Sequence, residues 1–469
     1  MAEREKIHAR NISGLPLNFL PPTPPGLESL YLACKRIYPD QQNPLQVAAL
    51  VKYWLGGPDP LDYISMYANS GDADLDIPPH WHYISFGLSD LHGDGRVHEV
   101  TSPESPSGFG FELTFRLRRE VGETAPPTWP ATLMQSLAKY VFQSGNTLCA
   151  GDHVSWHCAL DSSESRIQHM LMAADPQLPA TTSPFGLVNF VQVVGICREE
   201  LLAAQRWNGP GVLDILRRLP GAGGPWLVTD MRRGETMFEL DVTAQDEVDR
   251  GIEEDGSNLS GVSARCSWSE LNHLFSLGTG EGGTLKEGPA TRPLTPSPDS
   301  EQIQAALRKG SLNTRPVLPP IKAHAERYNV QCKIEHSQYD EDCLNEATEL
   351  LRTRKLESLH LTFNLESGVL LPLAIRGRVR HGRHFTFKSV LGDTAITLVA
   401  ASVTGTFVDA DKPYAAHGPW LQVLIPEDFI EPMANTLEPL NNPDQLEIPK
   451  TFVWSDRKLA ITILSDSRI

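Results

Sequence analysis

The chain has 469 residues, room for two or three domains each with its own core, and 41 Lys plus Arg against 58 Asp plus Glu leave a net charge of −17. An acidic chain repels a phosphate backbone, which argues against direct nucleic-acid binding and leaves a protein partner easier to accommodate. Hydrophobic content of 40% and charged content of 21% exclude a fibrous or largely unfolded chain.

In chain order, residues 1–26 end in LPPTPP and read as a flexible arm. Leu27, Leu30, Tyr31 and Cys34 then recur at helical spacing before YPDQQNP. A second helix is expected from Pro44, a good first-turn residue, through Tyr53 and Trp54 to the stop GGPDP. Strand-like runs follow at WHYISF (81–86) and FGFELTFRL (109–117). In the latter Phe109, Phe111, Leu113, Phe115 and Leu117 alternate with Gly, Glu, Thr and Arg, the pattern of a half-buried strand. Pro130 opens a helix with Leu133, Leu137, Tyr140 and Val141 on one face. VNFVQVVGI (188–196) and WLVTD (226–230) read as strands, with a helix near 211–218.

Between Gly278 and Ser300 the composition turns to glycine and proline with almost nothing apolar, and polar character continues to about residue 338. Such a segment buries too little to offset its chain entropy, so 278–338 reads as a disordered insert. EDCLNEATELLRTRKLESLHLTFN (341–364) then reads as a helix and a strand, and AITLVAAS (395–402), WLQVLI (420–425) and KLAITIL (458–464) as further strands. The expected architecture is α/β, or mixed α+β. It has two lobes, 27–265 and 266–464, each with a mixed β-sheet flanked by helices, the insert falling in the second.

The seven cysteines are odd in number and scattered without a CxxC pair, as in a reducing compartment. MAEREKIHAR lacks a signal peptide's apolar core, and no apolar run reaches the ~18 residues of a membrane span, so cytosol or nucleus is expected.

Chemical motifs are few. Gly278, Gly280 and Gly283 spell GxGxxG, but they open a proline-rich tract where a dinucleotide fingerprint needs a strand before and a helix after. Walker A, GxSxG and HExxH are absent. RGRVRHGRHFTFK (376–388) is basic, yet on so acidic a chain it reads as a solvated face or as arginines paired with acids, with Phe385 and Phe387 alternating as core. Thr295 and Ser297 precede prolines and are candidate phosphorylation sites. PPHWHYISFGLSDLHGDGRVHEV (78–100) concentrates histidines and acids. His80 and His82 would share one strand face, and a hydrolytic metal site would need His92, Asp90 or His98 to curl back to them. The aromatic setting favours packed, hydrogen-bonded imidazoles instead, so no metal or other cofactor is expected.

Six long blocks carry a resemblance: YPDQQNPLQVAALVKYWLGGPDPLDYISMY, PPHWHYISFGLSDLHGD, GFGFELTFRL, APPTWPATLMQSLAKYVFQSGN, GGPWLVTDMRRGE, and HGRHFTFKS with YAAHGPWLQVLIP. Together, from about residue 27 to 464, they resemble the Suppressor of fused family. The resemblance implies a non-enzymatic negative regulator of Hedgehog signalling, in cytoplasm and nucleus. Such a regulator sequesters Gli-type zinc-finger transcription factors, acts as a transcriptional corepressor and meets pathway kinases. It further implies that a Ser-Tyr-Gly-His-type partner segment adds as a β-strand while two lobes close around it, a mode in which main-chain hydrogen bonds give affinity and pockets give specificity. On this reading Asp152 accepts hydrogen bonds from the partner and Tyr140 lines the pocket for its imidazole. Val262 and Ala264 pair with the added strand, and Leu370 covers it. GDHVSWH (151–157) and GVSARCS (261–267) are short, strand-capable runs that suit such edges.

Overall fold

The computed structural model describes residues 23–100, 102–270 and 353–468. Most of the expected arm, the whole 278–338 insert with Thr295, Ser297 and the GxGxxG triplet, and the helix expected after residue 341 lie outside the described residues. Contacts divide the chain into two units at Leu259/Ser260.

The first unit is built on one mixed eight-stranded sheet. Its strands are β1 (Leu45–Ala48), β2 (Tyr63–Asn69), β3 (His80–Phe86), β4 (Pro106–Arg118), β5 (His153–Ser155), β6 (His169–Ala174), β7 (Thr181–Ser183) and β8 (Gly186–Ile196). The order is β1-β2-β3-β4-β8-β6-β5, with β7 paired to β8. Helix α1 (Pro25–Ile37) starts with proline in its first turn and ends on Lys35 and Arg36, each suited to the helix dipole. It buries Leu27, Leu30 and Cys34 with Phe86, Val188 and Phe190 on one face of the sheet. Helix α2 (Trp129–Ser144) buries Leu133, Leu137 and Val141 with Tyr83, Leu113 and Phe115 on the other.

Three sequence expectations change here. The helix expected from Pro44 is strand β1 followed by a 3-10 turn at Tyr53–Leu55. The Gln41 side chain binds both the amide and the carbonyl of Ala68 (2.9 and 2.7 Å), so the approach to β1 is tied to β2 and tertiary pairing overrides helical propensity. WLVTD is not a strand: only Thr229 bridges, to Leu117. Nor is β4 half-buried. With helices on both faces of the sheet, its polar residues Glu112, Thr114 and Arg116 are 0% exposed.

That buried polar face is organised by Arg116. Its Nε donates to Gln192 Oε1 (3.2 Å), and its Nη1 to His80 Nε2 and Gln177 Oε1 (both 2.9 Å). Its Nη2 donates to Asp175 Oδ1 (2.9 Å) and Oδ2 (3.1 Å), so all of the guanidinium N–H groups are used. Asp175 also accepts from the Thr114 hydroxyl (2.8 Å), from His82 Nε2 (3.1 Å) and from the Gln177 and Leu178 amides (both 2.9 Å). Tyr38, at the end of α1, donates to His82 Nδ1 (2.8 Å). One network thus joins α1, β3, β4 and the turn after β6. Burial opposes charge on Asp175, but His82 and Arg116 reverse this and hold its carboxyl well below the usual carboxylate range.

The second unit has two sheets rather than one. A six-stranded sheet runs β11 (Thr353–Leu356), β15 (Tyr414–His417), β16 (Trp420–Ile425), β14 (Ala395–Ala400), β13 (Phe385–Ser389), β9 (Gly261–Ala264). A four-stranded sheet runs β10 (Cys266–Ser269), β12 (Leu359–Asn364), β18 (Leu459–Leu464), β17 (Lys450–Trp454). Arg265 is the corner between them. The Ala264 carbonyl accepts from Val390 in one sheet (2.9 Å), and the Arg265 carbonyl from Asn364 in the other (3.1 Å). Phe387 packs against Phe363 and Phe385 with ring centroids 4.8 and 4.9 Å apart, as the alternation of Phe385 and Phe387 predicts. The basic run is paired with acids in part: Arg380 meets Glu431, and Arg376 lies 4.0 Å from Glu438.

Removing the Asp175 charge should expose the cost of a buried, unneutralised guanidinium. Asp175→Asn is expected to destabilise the first unit by about 3–5 kcal/mol in denaturant unfolding, and an unchanged midpoint would contradict this. Acid should act through the same network. Burial first and the Arg116 charge second hold His80 down at about 3 and His82 at about 4, against an ordinary 6.5. Neutral imidazoles in the folded state mean that protonation favours unfolding. Their contribution is complete above pH 6.5 and is lost as pH falls through those values. Glu112, lifted by burial from 4.5 to about 6, works the other way, losing stability as pH rises through that interval. The two imidazoles are displaced further and outweigh it. Stability measured against pH should therefore fall on acidification below 6.5, and His82→Gln should flatten the fall.

Candidate partner-binding edges

Strand β5 closes one side of the first sheet and, among the described residues, pairs only with β6. The Asp152 carbonyl accepts from the Met172 amide (2.8 Å), which turns alternate residues Asp152 and Val154 towards β6. The backbone groups of His153 and Ser155 consequently face away from the sheet. The turn that delivers β5 depends on Gly151. Its φ is +97°, and a Cβ there would lie 3.0 Å from Pro210 at the start of helix α3 (Gly209–Arg218). Asp152 follows at the surface, with Oδ2 accepting from the Cys149 amide (2.7 Å). One carboxylate oxygen therefore fixes the turn, and the other has no donor among the described residues.

Strand β9 is the corresponding edge in the second unit, parallel to β13. The Ser260 and Ala264 carbonyls accept from the Thr386 and Val390 amides (3.0 and 2.9 Å). Even-numbered residues are thus turned to β13, and Gly261 and Ser263 present their backbone groups outward. Sequence reasoning named Val262 and Ala264 as the pairing residues. Both are on this strand, with their backbone groups turned to β13, while those of Gly261 and Ser263 face outward. Ala264 is buried and Val262 half-buried. Gly261 allows the close approach to β13, since a Cβ there would sit 2.5 Å from the Thr386 carbonyl oxygen.

Tyr140 is on α2 but is 47% exposed, one position short of the buried Leu133, Leu137 and Val141 stripe. Its hydroxyl accepts from Asn146 Nδ2 (3.0 Å), and the ring stays at the surface. Leu370 is half-buried beyond β12, its amide bonded to the Ser367 carbonyl (3.2 Å). Tyr140 and Asp152 fall in the first unit, and Val262, Ala264 and Leu370 in the second.

The hydrolase alternative does not assemble. His80 Nδ1 donates to the Pro78 carbonyl (2.8 Å) while Nε2 accepts from Arg116, and both His82 nitrogens are bonded as described above. No ring nitrogen of this pair has a lone pair free for a metal. Asp90 and His92 lie beyond the far end of β3, which at 7 residues spans roughly 20 Å. Asp90 Oδ1 accepts from the His92 and Gly93 amides (both 2.9 Å), capping a turn. Among the described residues, no group of three or more His, Cys, Asp or Glu could hold a metal ion. The Arg116–Asp175 network escaped sequence reasoning because a buried polar face and a solvated one alternate identically along a strand.

Family models match both parts of the chain. The Suppressor of fused protein model covers residues 57–234, and the Suppressor of Fused Gli/Ci N terminal binding domain model covers 246–463. The chain is 57% identical to the human Suppressor of fused homolog over 448 residues, 94% of this chain and 92% of that one. The mouse homolog matches at 57% over 447 residues, with the same shares. The crystal structure of Drosophila Suppressor of Fused superposes with a TM-score of 0.70 at 38% identity, covering 94% of this chain and 97% of that one.

Proposed function

The chain belongs to the Suppressor of fused family, and on that footing we propose that it is a non-catalytic negative regulator of Hedgehog signalling. It binds Gli-type zinc-finger transcription factors, sequesters them in the cytoplasm and represses with them in the nucleus. The segment it takes is short and extended, of the Ser-Tyr-Gly-His type, and it adds as a β-strand to the outward backbone groups of β5 and β9, so that the two units close upon it.

The observation that carries this reading is an open strand edge in each unit, with Asp152 next to one and Val262 and Ala264 on the other. His153 and Ser155 on one edge and Gly261 and Ser263 on the other offer main-chain donors and acceptors, which is what strand addition uses. Asp152 adds an acceptor for the partner's polar side chains, and Tyr140 an exposed ring for its imidazole. Val262 and Leu370 are half-buried and supply apolar cover. An edge strand left open invites unwanted pairing, and a ligand strand removes that hazard. Thr295 and Ser297, each followed by proline, are proposed sites of proline-directed phosphorylation, where phosphate would add about −1.5 to −2 charges each.

Calorimetric titration with a Ser-Tyr-Gly-His peptide tests the reading on wild type and Asp152→Arg side by side. Wild type should bind, and the substitution should cost about 2 kcal/mol or more while circular dichroism stays unchanged. Equal affinity for both proteins would remove Asp152 from the site. Failure of folded wild type to bind would overturn the proposed segment.

A further inference from the structure

The opposite side of the first sheet carries another open edge. Strand β1 pairs only with β2, and among the described residues no strand covers its outer side. Leu45 lies opposite Met66 and Val47 opposite Ile64, and the Ala49 amide donates to the Asp62 carbonyl (3.1 Å). Odd-numbered residues are therefore bonded to β2, and Gln46 and Ala48 aim their backbone groups outward. Natural edges are commonly guarded by lysine, proline or a bulge. Residues 45–51 read LQVAALV, with neither charge nor proline.

Around this edge stand Leu45, Leu50, Val51, Tyr53, Trp54 and Leu55, all exposed. Exposed apolar side chains this concentrated along the chain, beside an unpaired strand edge, mark an interaction site. The charges that border it are already matched within the unit. Lys52 lies 3.5 Å from Asp62 and Lys139 2.8 Å from Asp59, while Arg96 pairs with Asp94 and stacks over Trp54 at 4.7 Å. On a chain of net charge −17 the patch is thus locally neutral. A charged peptide finds no counter-charge there, whereas two identical copies of the patch meet without like-charge repulsion.

We propose that this face is a homodimer interface, in which β1 pairs antiparallel with β1 of a second copy across a twofold axis. An identical edge turned by a twofold is self-complementary by construction. The outward groups of Gln46 and Ala48 bond to those of the second copy, and the two apolar patches cover each other. The interface is at the other end of the sheet from β5, so it leaves the partner edge open.

Sedimentation velocity of the full chain over a wide concentration range tests this. Wild type should show a reversible monomer–dimer equilibrium. Leu45→Lys and Leu50→Lys alter exposed side chains only, and each should weaken dimerisation about tenfold or more by placing a charge in the covered apolar patch. Mixing Leu45→Lys with Ala49→Glu, positions that this register sets opposite each other, should restore a dimer containing one of each, which a purely structural defect would not do. A wild type that stays monomeric throughout overturns the proposal and leaves the face to a different protein. A dimer indifferent to both lysines overturns it as well.

Discussion

A fully buried arginine can be kept only if every donor it carries is met, and the first unit is arranged around that requirement. Arg116 sits near the end of β4, under the α1 face, with Asp175 supplying both carboxylate oxygens and His80, Gln177 and Gln192 taking the remaining donors. These partners come from three separate places in the chain: β3, the turn after β6, and β8. Satisfying one guanidinium therefore fixes the relative positions of β3, β4, β8 and the turn after β6. Trp226 adds a ring 5.3 Å from the guanidinium, which ties the 226–229 segment to the same point. An ion pair of this kind contributes little net stability against an apolar replacement, but it punishes any arrangement that leaves one member behind. Its effect is to specify the sheet more than to strengthen it.

With its interior so specified, the sheet can leave its borders unfinished. The inner strands are covered on both faces, while β5 and β1 end the sheet with outward backbone groups. In the second unit β9 ends its sheet in the same way, and Arg265 then carries the chain across to the other sheet. The corner limits β9 to four residues, so the edge is short as well as open. Glycine is needed at each approach, at Gly151 by a positive φ and at Gly261 by the nearness of Thr386. These edges are set by backbone geometry, and the side chains that flank them decide what can be added.

Much of this was legible in the sequence where one physical signal dominated. The helical spacing of Leu27, Leu30 and Cys34, and the alternation of apolar residues in β4 and β13, gave their elements correctly because apolar periodicity follows the geometry of helix and strand. The segment after Pro44 misled because Leu45, Leu50 and Trp54 suit a helix, yet the Gln41–Ala68 bonds and the pairing with β2 hold it extended with those residues exposed. Glu112, Thr114 and Arg116 misled because the covering helices are distant in sequence from the strand they bury. Asp152 and Tyr140 could be named only through resemblance. A surface carboxylate in a turn and a tyrosine at the edge of a helical stripe have no periodic signature of their own. The choice of Val262 and Ala264 over Gly261 and Ser263 shows the same limit, since which backbone groups are free depends on the register with β13.

Amide hydrogen exchange, read residue by residue with and without a saturating Ser-Tyr-Gly-His peptide, tests most directly the claim that a partner is held by added strand pairing. The account predicts slowed exchange at His153 and Ser155 on β5 and at Gly261 and Ser263 on β9, with little change at the even-numbered neighbours already bonded within their sheets. Protection confined to side-chain pockets elsewhere, with these four amides exchanging as before, would contradict it.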